Sequence, residues 1–294
     1  MRNGLFYGCA TALVTPFHGD RVDYGAFERL IDWQLDSGID ALVALGTTGE
    51  PETIAEAERA AILECIRSRC PESVPLIAGI GSNDTQLAVK RAMAAERLGA
   101  NALLAVTPYY NKCSRSGLIA HFIRIADSVD IPVIMYNVPA RTGMNLDPDA
   151  VAALAKHPNL CALKEASGSL RQLTDVARAC QGGIAVYCGN DDQAVPAMAL
   201  GASGLISVAS NVIPAQMREL TASWLGGDSR RALELQLEWL PLIRALFCEV
   251  SPIPAKAALS MMGLCENAMR LPLTPLEPEK QATLKGVLKE YSLI

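Results

Sequence analysis

Lys164 closes the run Leu160-Cys-Ala-Leu-Lys164, whose apolar character suits a strand buried on both faces. Desolvation disfavours an ammonium there, by up to about 3 to 5 pKa units, and leaves a free amine able to attack a carbonyl carbon and form a Schiff base. Taken alone, Lys164 reads equally well as a strand-end lysine that reaches solvent or pairs with Glu165. Tyr136 closes a second apolar run, and a phenol beside an amine can pass protons among carbinolamine, imine and substrate. A strand tyrosine is, however, more often a core residue with its hydroxyl bonded. Thr47-Thr48, flanked by Gly46 and Gly49, offers two hydroxyls and two amides to a carboxylate where glycine lets the backbone come close. By itself the same stretch is a plain strand-to-helix turn with a capping threonine. Arg141 adds a guanidinium. That amine, phenol, carboxylate-binding turn and guanidinium all close apolar runs points to one shared site.

Other chemistries fit poorly. The three histidines, His18, His121 and His157, lie far apart with no metal-ligand spacing, so no metal is expected. Nine cysteines form no CxxC pair and are odd in number, which suits small, buried, reduced thiols. No Gly-x-Gly-x-x-Gly follows a strand and no Walker motif occurs, so no nucleotide cofactor is expected. A formal charge of -5 and a pI near 5.3, without a basic stripe, argue against nucleic acid. The start, Met1-Arg-Asn-Gly-Leu-Phe-Tyr-Gly8, lacks a leader's apolar region, and no stretch reaches the roughly 18 apolar residues of a membrane span, so a cytosolic protein is expected.

The elements that must position these residues follow a βαβα rhythm. Eight apolar runs alternate with amphipathic stretches, centred on Ala12–Thr15, Ala41–Leu45, Pro75–Gly79, Ala102–Val106, Pro132–Tyr136, Leu160–Lys164, Ala185–Cys188 and Gly204–Val208. Eight parallel strands favour a closed (β/α)8 barrel. Ser37-Gly-Ile-Asp-Ala-Leu-Val43, Leu98-Gly-Ala-Asn-Ala-Leu-Leu104 and Leu200-Gly-Ala-Ser-Gly-Leu-Ile206 repeat one helix-to-strand turn. Beyond Pro214 the pattern is helical, over 215–225, 229–247, 254–262 and 278–291. The division expected is a barrel over 1–225 and a helical appendage over 226–294. In such a barrel the active site lies at the carboxyl ends of the strands, where Gly46–Glu50, Thr107–Asn111, Tyr136–Gly143, Lys164–Ser167 and Gly189–Asp192 fall.

Gly46-Thr-Thr-Gly-Glu50, Thr107-Pro-Tyr-Tyr-Asn111, Tyr136-Asn-Val-Pro-Ala-Arg-Thr-Gly143 and Lys164-Glu165 resemble the dihydrodipicolinate synthase family of Schiff-base aldolases. The likeness extends from Gly8-Cys-Ala-Thr-Ala-Leu-Val-Thr-Pro16 through Ser251-Pro-Ile-Pro-Ala-Lys256 to Arg270-Leu-Pro-Leu-Thr-Pro275. It implies condensation of pyruvate with L-aspartate 4-semialdehyde to 4-hydroxy-tetrahydrodipicolinate, on the lysine and diaminopimelate route, without metal, nicotinamide or pyridoxal. It implies Lys164 as the Schiff-base residue, and Tyr136, Thr47 and Tyr110 as a proton relay. Thr48 would hold the pyruvate carboxylate, Arg141 the semialdehyde carboxylate, and Gly189 and Ile206 would line the pyruvate pocket. The family's counterpart of Tyr110 reaches into a neighbouring subunit, which implies at least a homodimer and commonly a tetramer. Pro51 and Cys113 depart from the family's usual small residue and proline.

Two other functions compete. A sister enzyme, such as an N-acetylneuraminate lyase or a 2-keto-3-deoxy sugar-acid aldolase, would share barrel, lysine and tyrosine, but resembles this chain less at Thr48 and Arg141. A non-catalytic 2-oxo-acid sensor fits poorly with an intact Lys164 and Tyr136. The resemblance also implies weak or no inhibition by L-lysine: at the family's effector cleft Asn83 and Tyr109 are kept, but Glu56, Arg59 and Leu87 replace two histidines and a glutamate.

Overall fold

A computed structural model describes residues 5–294. Residues 1–4, part of the stretch read as lacking a leader, lie outside the described residues. Among the described residues ten strands form: β1 (Gly8–Ala12), β2 (Phe17–His18), β3 (Arg21–Val22), β4 (Ala41–Ala44), β5 (Leu76–Gly79), β6 (Ala102–Val106), β7 (Val133–Asn137), β8 (Leu160–Glu165), β9 (Ala185–Cys188) and β10 (Gly204–Ser207). Apart from the antiparallel β2–β3 hairpin, they close into one parallel barrel ordered β1-β10-β9-β8-β7-β6-β5-β4. Around it run α1 (Tyr24–Asp36), α2 (Glu56–Arg69), α3 (Thr85–Arg97), α4 (Arg115–Ala126), α5 (Pro139–Thr142), α6 (Pro148–Leu154), α7 (Leu170–Cys180), α8 (Ala194–Ala199) and α9 (Pro214–Leu225). They are followed by α10 (Ser229–Glu238), α11 (Leu240–Ala245), α12 (Ile253–Met261) and α13 (Pro278–Glu290).

Local chemistry sets these boundaries. The side chains of Asp23, Asp84, Ser114, Asp147, Ser169 and Asp228 accept from backbone N–H groups in the first turns of α1, α3, α4, α6, α7 and α10, satisfying donors a helix start leaves free. The repeated helix-to-strand turn is real: Gly38, Gly99 and Gly201 follow α1, α3 and α8 with φ of 74°, 82° and 95°, left-handed angles that glycine adopts without a Cβ clash.

Two sequence boundaries need correction. The first strand spans Gly8–Ala12, not Ala12–Thr15, because the backbone leaves the ladder after Leu13: the Val14 N–H donates to Asn211 Oδ1 at 3.1 Å, and the Thr15 hydroxyl donates to the Gly49 carbonyl at 2.8 Å. The helix read over 229–247 breaks at Trp239, because Pro241 has no N–H to continue the α10 ladder. The cysteine reading is also corrected: none of the nine forms a disulfide, but only Cys9, Cys70 and Cys188 are buried, and Cys248 is exposed.

The apolar core has two layers. Inside the barrel, Ala10, Val43, Ile77, Leu104, Ile134 and Ile206 pack with other small and branched residues, and the Phe6 and Tyr187 rings stack at 4.3 Å. A larger cluster fills the space between strands and helices and continues without a break into Leu235, Leu242, Leu259 and Leu284 of the carboxyl-terminal helices.

Candidate active site

Lys164 faces the barrel axis because of a bulge. Val133 pairs with Leu160 but Ile134 pairs with Ala162, so Cys161 is an extra residue in β8. A strand alternates faces with period two, and one inserted residue inverts the pattern beyond it. Leu160 lies in the outer layer, Ala162 in the inner, Leu163 in the outer, and Lys164 pairs with Tyr136 of the inner layer. Without the extra residue Lys164 would point into the helix layer.

Lys164 is 4% exposed, and its Nζ lies 4.5 Å from the centre of the Tyr136 ring. Neither bland reading of this lysine holds. It does not reach solvent, and Glu165 turns to the outer face, where Asn137 Nδ2 donates to its Oε2 at 3.0 Å and Gln172 Nε2 at 3.1 Å. Among the described residues no carboxylate lies within salt-bridge distance of Lys164 Nζ. At Gly189 an added Cβ would fall 2.6 Å from the Ala166 Cβ and 3.0 Å from Lys164 Cε, so the lysine stem occupies the space a side chain there would take. Ile206 is fully buried on the inner layer.

Asp191 knits β9 to β10 beside this pocket, accepting from the Val208 and Ala209 N–H groups at 3.0 and 3.1 Å and from the Ser207 hydroxyl. Burial pushes its carboxyl above the ordinary range, against the pull of those hydrogen bonds.

A cleft of about 290 Å³ opens among the strand-end segments, with Thr47, Glu50, Tyr136 and Arg141 in its wall. Thr47–Gly49 is a single 3-10 turn, closed by the Gly49 N–H donating to the Gly46 carbonyl at 2.8 Å. Thr48 is buried and Thr47 half-buried. Arg141 is exposed on α5, and its Nη2 donates to the Ser251 carbonyl at 3.0 Å. Thus Thr47, Tyr136 and Arg141 share one cleft, with Lys164 against Tyr136. Tyr110 is outside it, 91% exposed with φ of 71°.

Of the five non-glycine residues at positive φ among the described residues, Leu45, Glu50 and Tyr110 belong to these strand-end loops. Such angles cost about 1 to 3 kcal/mol each and persist where the surroundings over-determine them. One buried pair escaped the reading of the sequence: Lys256 Nζ lies 2.7 Å from Glu50 Oε1. Its signal was the one used for Lys164, a lone lysine inside an apolar run, here Ile253-Pro-Ala-Lys-Ala-Ala-Leu259. Among the described residues no group of three or more His, Cys, Asp or Glu is placed to hold a metal ion.

Comparison with known proteins agrees with this fold. The profile of the dihydrodipicolinate synthetase family matches residues 5–291. The 4-hydroxy-tetrahydrodipicolinate synthase of Alkaliphilus oremlandii is 46% identical over 290 residues, covering 99% of this chain and 100% of that one. The dihydrodipicolinate synthase of Thermotoga maritima superposes with a TM-score of 0.97 at 40% identity, covering 99% of this chain and 100% of that one. The chloride-inhibited dihydrodipicolinate synthase of Acinetobacter baumannii, solved with pyruvate, superposes with a TM-score of 0.96 at 40% identity, over 98% and 99% of the two chains.

Proposed function

Since this chain belongs to the dihydrodipicolinate synthetase family, we propose a division of labour among its strand-end residues for the family's reaction. The chain is an enzyme that condenses pyruvate with L-aspartate 4-semialdehyde to 4-hydroxy-tetrahydrodipicolinate. The Lys164 amine adds to C2 of pyruvate, giving a carbinolamine. Tyr136 hands a proton to its oxygen, which leaves as water, and an imine remains. Loss of a methyl proton gives the enamine, whose carbon attacks the aldehyde. The amine of the bound semialdehyde then adds to the imine carbon, closes the ring and expels the lysine amine, so one water is lost overall.

One observation supports this most directly: a buried lysine, with no carboxylate within salt-bridge distance among the described residues, lies against the ring of a strand-end tyrosine. An amine not tied up in an ion pair is available to add to a carbonyl carbon, as the first step requires. Thr48 is proposed as the hydrogen-bonding partner of the pyruvate carboxylate, Thr47 as a relay between Tyr136 and Tyr110, and Arg141 as the partner of the semialdehyde carboxylate. Gly189 and Ile206 would shape the pyruvate pocket, Gly189 by leaving room for the lysine stem. A homodimer or tetramer is proposed, with Tyr110 acting in the neighbouring subunit. A barrel over 1–225 with a helical appendage over 226–294 is the proposed division of the chain. No helix among the described residues is long and apolar enough to cross a membrane, and the cytosol is the proposed compartment.

The test pairs an assay with a trap. Product is expected from pyruvate with aspartate semialdehyde and not with N-acetylmannosamine. Borohydride reduction in the presence of pyruvate is expected to add the mass of one reduced imine per chain, and Lys164→Ala is expected to abolish it. An adduct that survives in Lys164→Ala would show that another amine is the nucleophile.

A further inference from the structure

The Gly46–Gly49 turn is bracketed by two left-handed residues that are not glycine: Leu45 on entry and Glu50 on exit, each with φ of 56°. At Leu45 the crossing is made possible by Gly79, where any Cβ would lie 2.0 Å from the Leu45 carbonyl oxygen. At Glu50 the restraint is the side chain itself. Its carboxylate is 1% exposed, and Oε1 accepts from Lys256 Nζ at 2.7 Å. The Arg270 N–H donates to Oε2 at 3.5 Å. Lys256 is fully buried on α12, with its Nζ 4.1 Å from the centre of the Phe17 ring and the Arg270 guanidinium carbon 4.5 Å from that centre. Burial pushes the Lys256 ammonium down and the Glu50 carboxylate pushes it back up.

A buried ion pair is an inefficient source of stability, because desolvating two charges offsets most of their attraction. A glycine at position 50 would adopt the same angle freely but would leave the turn untethered. We infer that Lys256 is a positioning residue for the 2-oxo acid: by clamping Glu50 it fixes the exit of the Thr47–Gly49 turn, and with it the directions of the threonine hydroxyls and amides, without touching substrate. This rests on the proposed role of Thr48 as the carboxylate contact. The same short segment that carries Lys256 begins at Ser251, whose carbonyl holds Arg141 Nη2. Residues 251–256 therefore index both proposed carboxylate partners, one for each substrate, to a single start of α12.

The experiment follows adduct formation by borohydride trapping and intact mass across a range of pyruvate concentrations, with melting temperature measured in parallel. Lys256→Met and Glu50→Gln are each expected to raise the half-saturating pyruvate about 10-fold, while the adduct at saturation stays at one per chain. Lys256→Arg is expected to recover most of the lost affinity. The apolar pair Lys256→Met/Glu50→Leu is expected to melt close to the wild-type temperature and still bind pyruvate about 10-fold more weakly. Wild-type affinity in the apolar pair, or in Glu50→Gln, overturns the inference. Should Lys256→Met fail to fold, Glu50→Gln decides alone, since it keeps volume and acceptor. Thr48→Val separates this inference from the reading it rests on. If Thr48→Val weakens pyruvate and Glu50→Gln does not, the clamp is wrong; if neither does, the turn is not the carboxylate site and both fall.

Discussion

Among the described residues two lysines are buried, and their surroundings set them apart. Lys256 faces the Glu50 carboxylate at 2.7 Å, so its amine is committed to a buried ion pair. Lys164 lies against the face of Tyr136 at 4.5 Å, with no carboxylate within salt-bridge distance among the described residues, so its amine is not committed to an ion pair. Arg141 occupies the opposite regime, exposed at the cleft mouth and held by one hydrogen bond to the Ser251 carbonyl. Its remaining donors are free to take a carboxylate in the fork geometry that guanidinium favours. Arg141→Ala is therefore expected to raise the KM for the semialdehyde about 10-fold to 100-fold, the range that corresponds to losing a charge-assisted hydrogen bond of roughly 1.5 to 3 kcal/mol. Pyruvate trapping in that variant is expected to match wild type. Unchanged semialdehyde kinetics would remove Arg141 from the site. These residues were legible because each closes an apolar run with a polar group, a local pattern. Glu50 and Lys256 were not paired because 206 residues separate them and only the fold brings them together.

At the scale of elements, what the sequence shows is periodicity and punctuation, and what it hides is the insertion that changes parity. The helix-to-strand glycines and the capping Asp and Ser residues follow from local rules. The Cys161 bulge that turns Lys164 inward has no local signature, since Leu160-Cys-Ala-Leu reads as uninterrupted strand. The displaced first strand has a related cause, because Asn211 and Gly49, which draw Val14 and Thr15 out of the ladder, are distant in sequence. Between α3 and α4, His121 is buried, with its Nδ1 2.9 Å from the Thr85 hydroxyl and its Nε2 without a partner. Burial pushes this imidazole down to about 4. The folded protein thus holds it neutral, whereas the unfolded chain takes up a proton near 6.5, so its contribution is complete above that pH and is lost as pH falls toward 4. Between pH 8 and pH 5.5 the loss is about 1.4 kcal/mol, or roughly 2 °C of Tm for a chain of this size. His121→Gln is expected to lose about 2 °C less than wild type over that interval, and identical slopes would show that His121 is protonated in the fold. On α2, Glu56 lies 2.8 Å from Arg91 and 3.8 Å from Arg59, so its carboxylate already serves two cations. Where the family's effector cleft would need acceptors for an ammonium, this chain presents two guanidiniums and the apolar Leu87. Inhibition by L-lysine is expected to be weak, with initial rates half-inhibited only above about 1 mM, an affinity weaker than roughly -4 kcal/mol. Half-inhibition well below that would mean Glu56 leaves Arg91 for the effector.

For the whole molecule, the telling residue is the one the cleft does not contain. Tyr110 projects from the loop after β6 with 91% of its surface exposed and a left-handed φ of 71°. An aromatic side chain in that conformation gives up backbone energy and gains no burial within its own chain, so its fold-level justification must lie elsewhere. The loop is nonetheless ordered by its own contacts, with Asn111 Nδ2 donating to the Asn83 carbonyl at 2.9 Å. Tyr109 beside it turns inward into the cleft wall, its phenol pushed up to about 12 by burial and by its hydrogen bond to Glu52. Two adjacent tyrosines thus face opposite ways, one lining this chain's cleft and one exposed, as the proposed site across a two-fold interface would require. Tyr110→Phe is expected to lower turnover while leaving the Lys164 adduct intact. Mixed with Lys164→Ala, which lacks the nucleophile but keeps its tyrosine, it is expected to regain part of the activity, because a mixed dimer pairs one intact lysine with the tyrosine of the other chain. At full subunit exchange about half of the dimers are mixed and each holds one complete site, so recovery should approach a quarter of the wild-type rate, on the two-fold symmetric arrangement. No recovery, with exchange demonstrated by native mass, would place Tyr110 in its own subunit's site or in none.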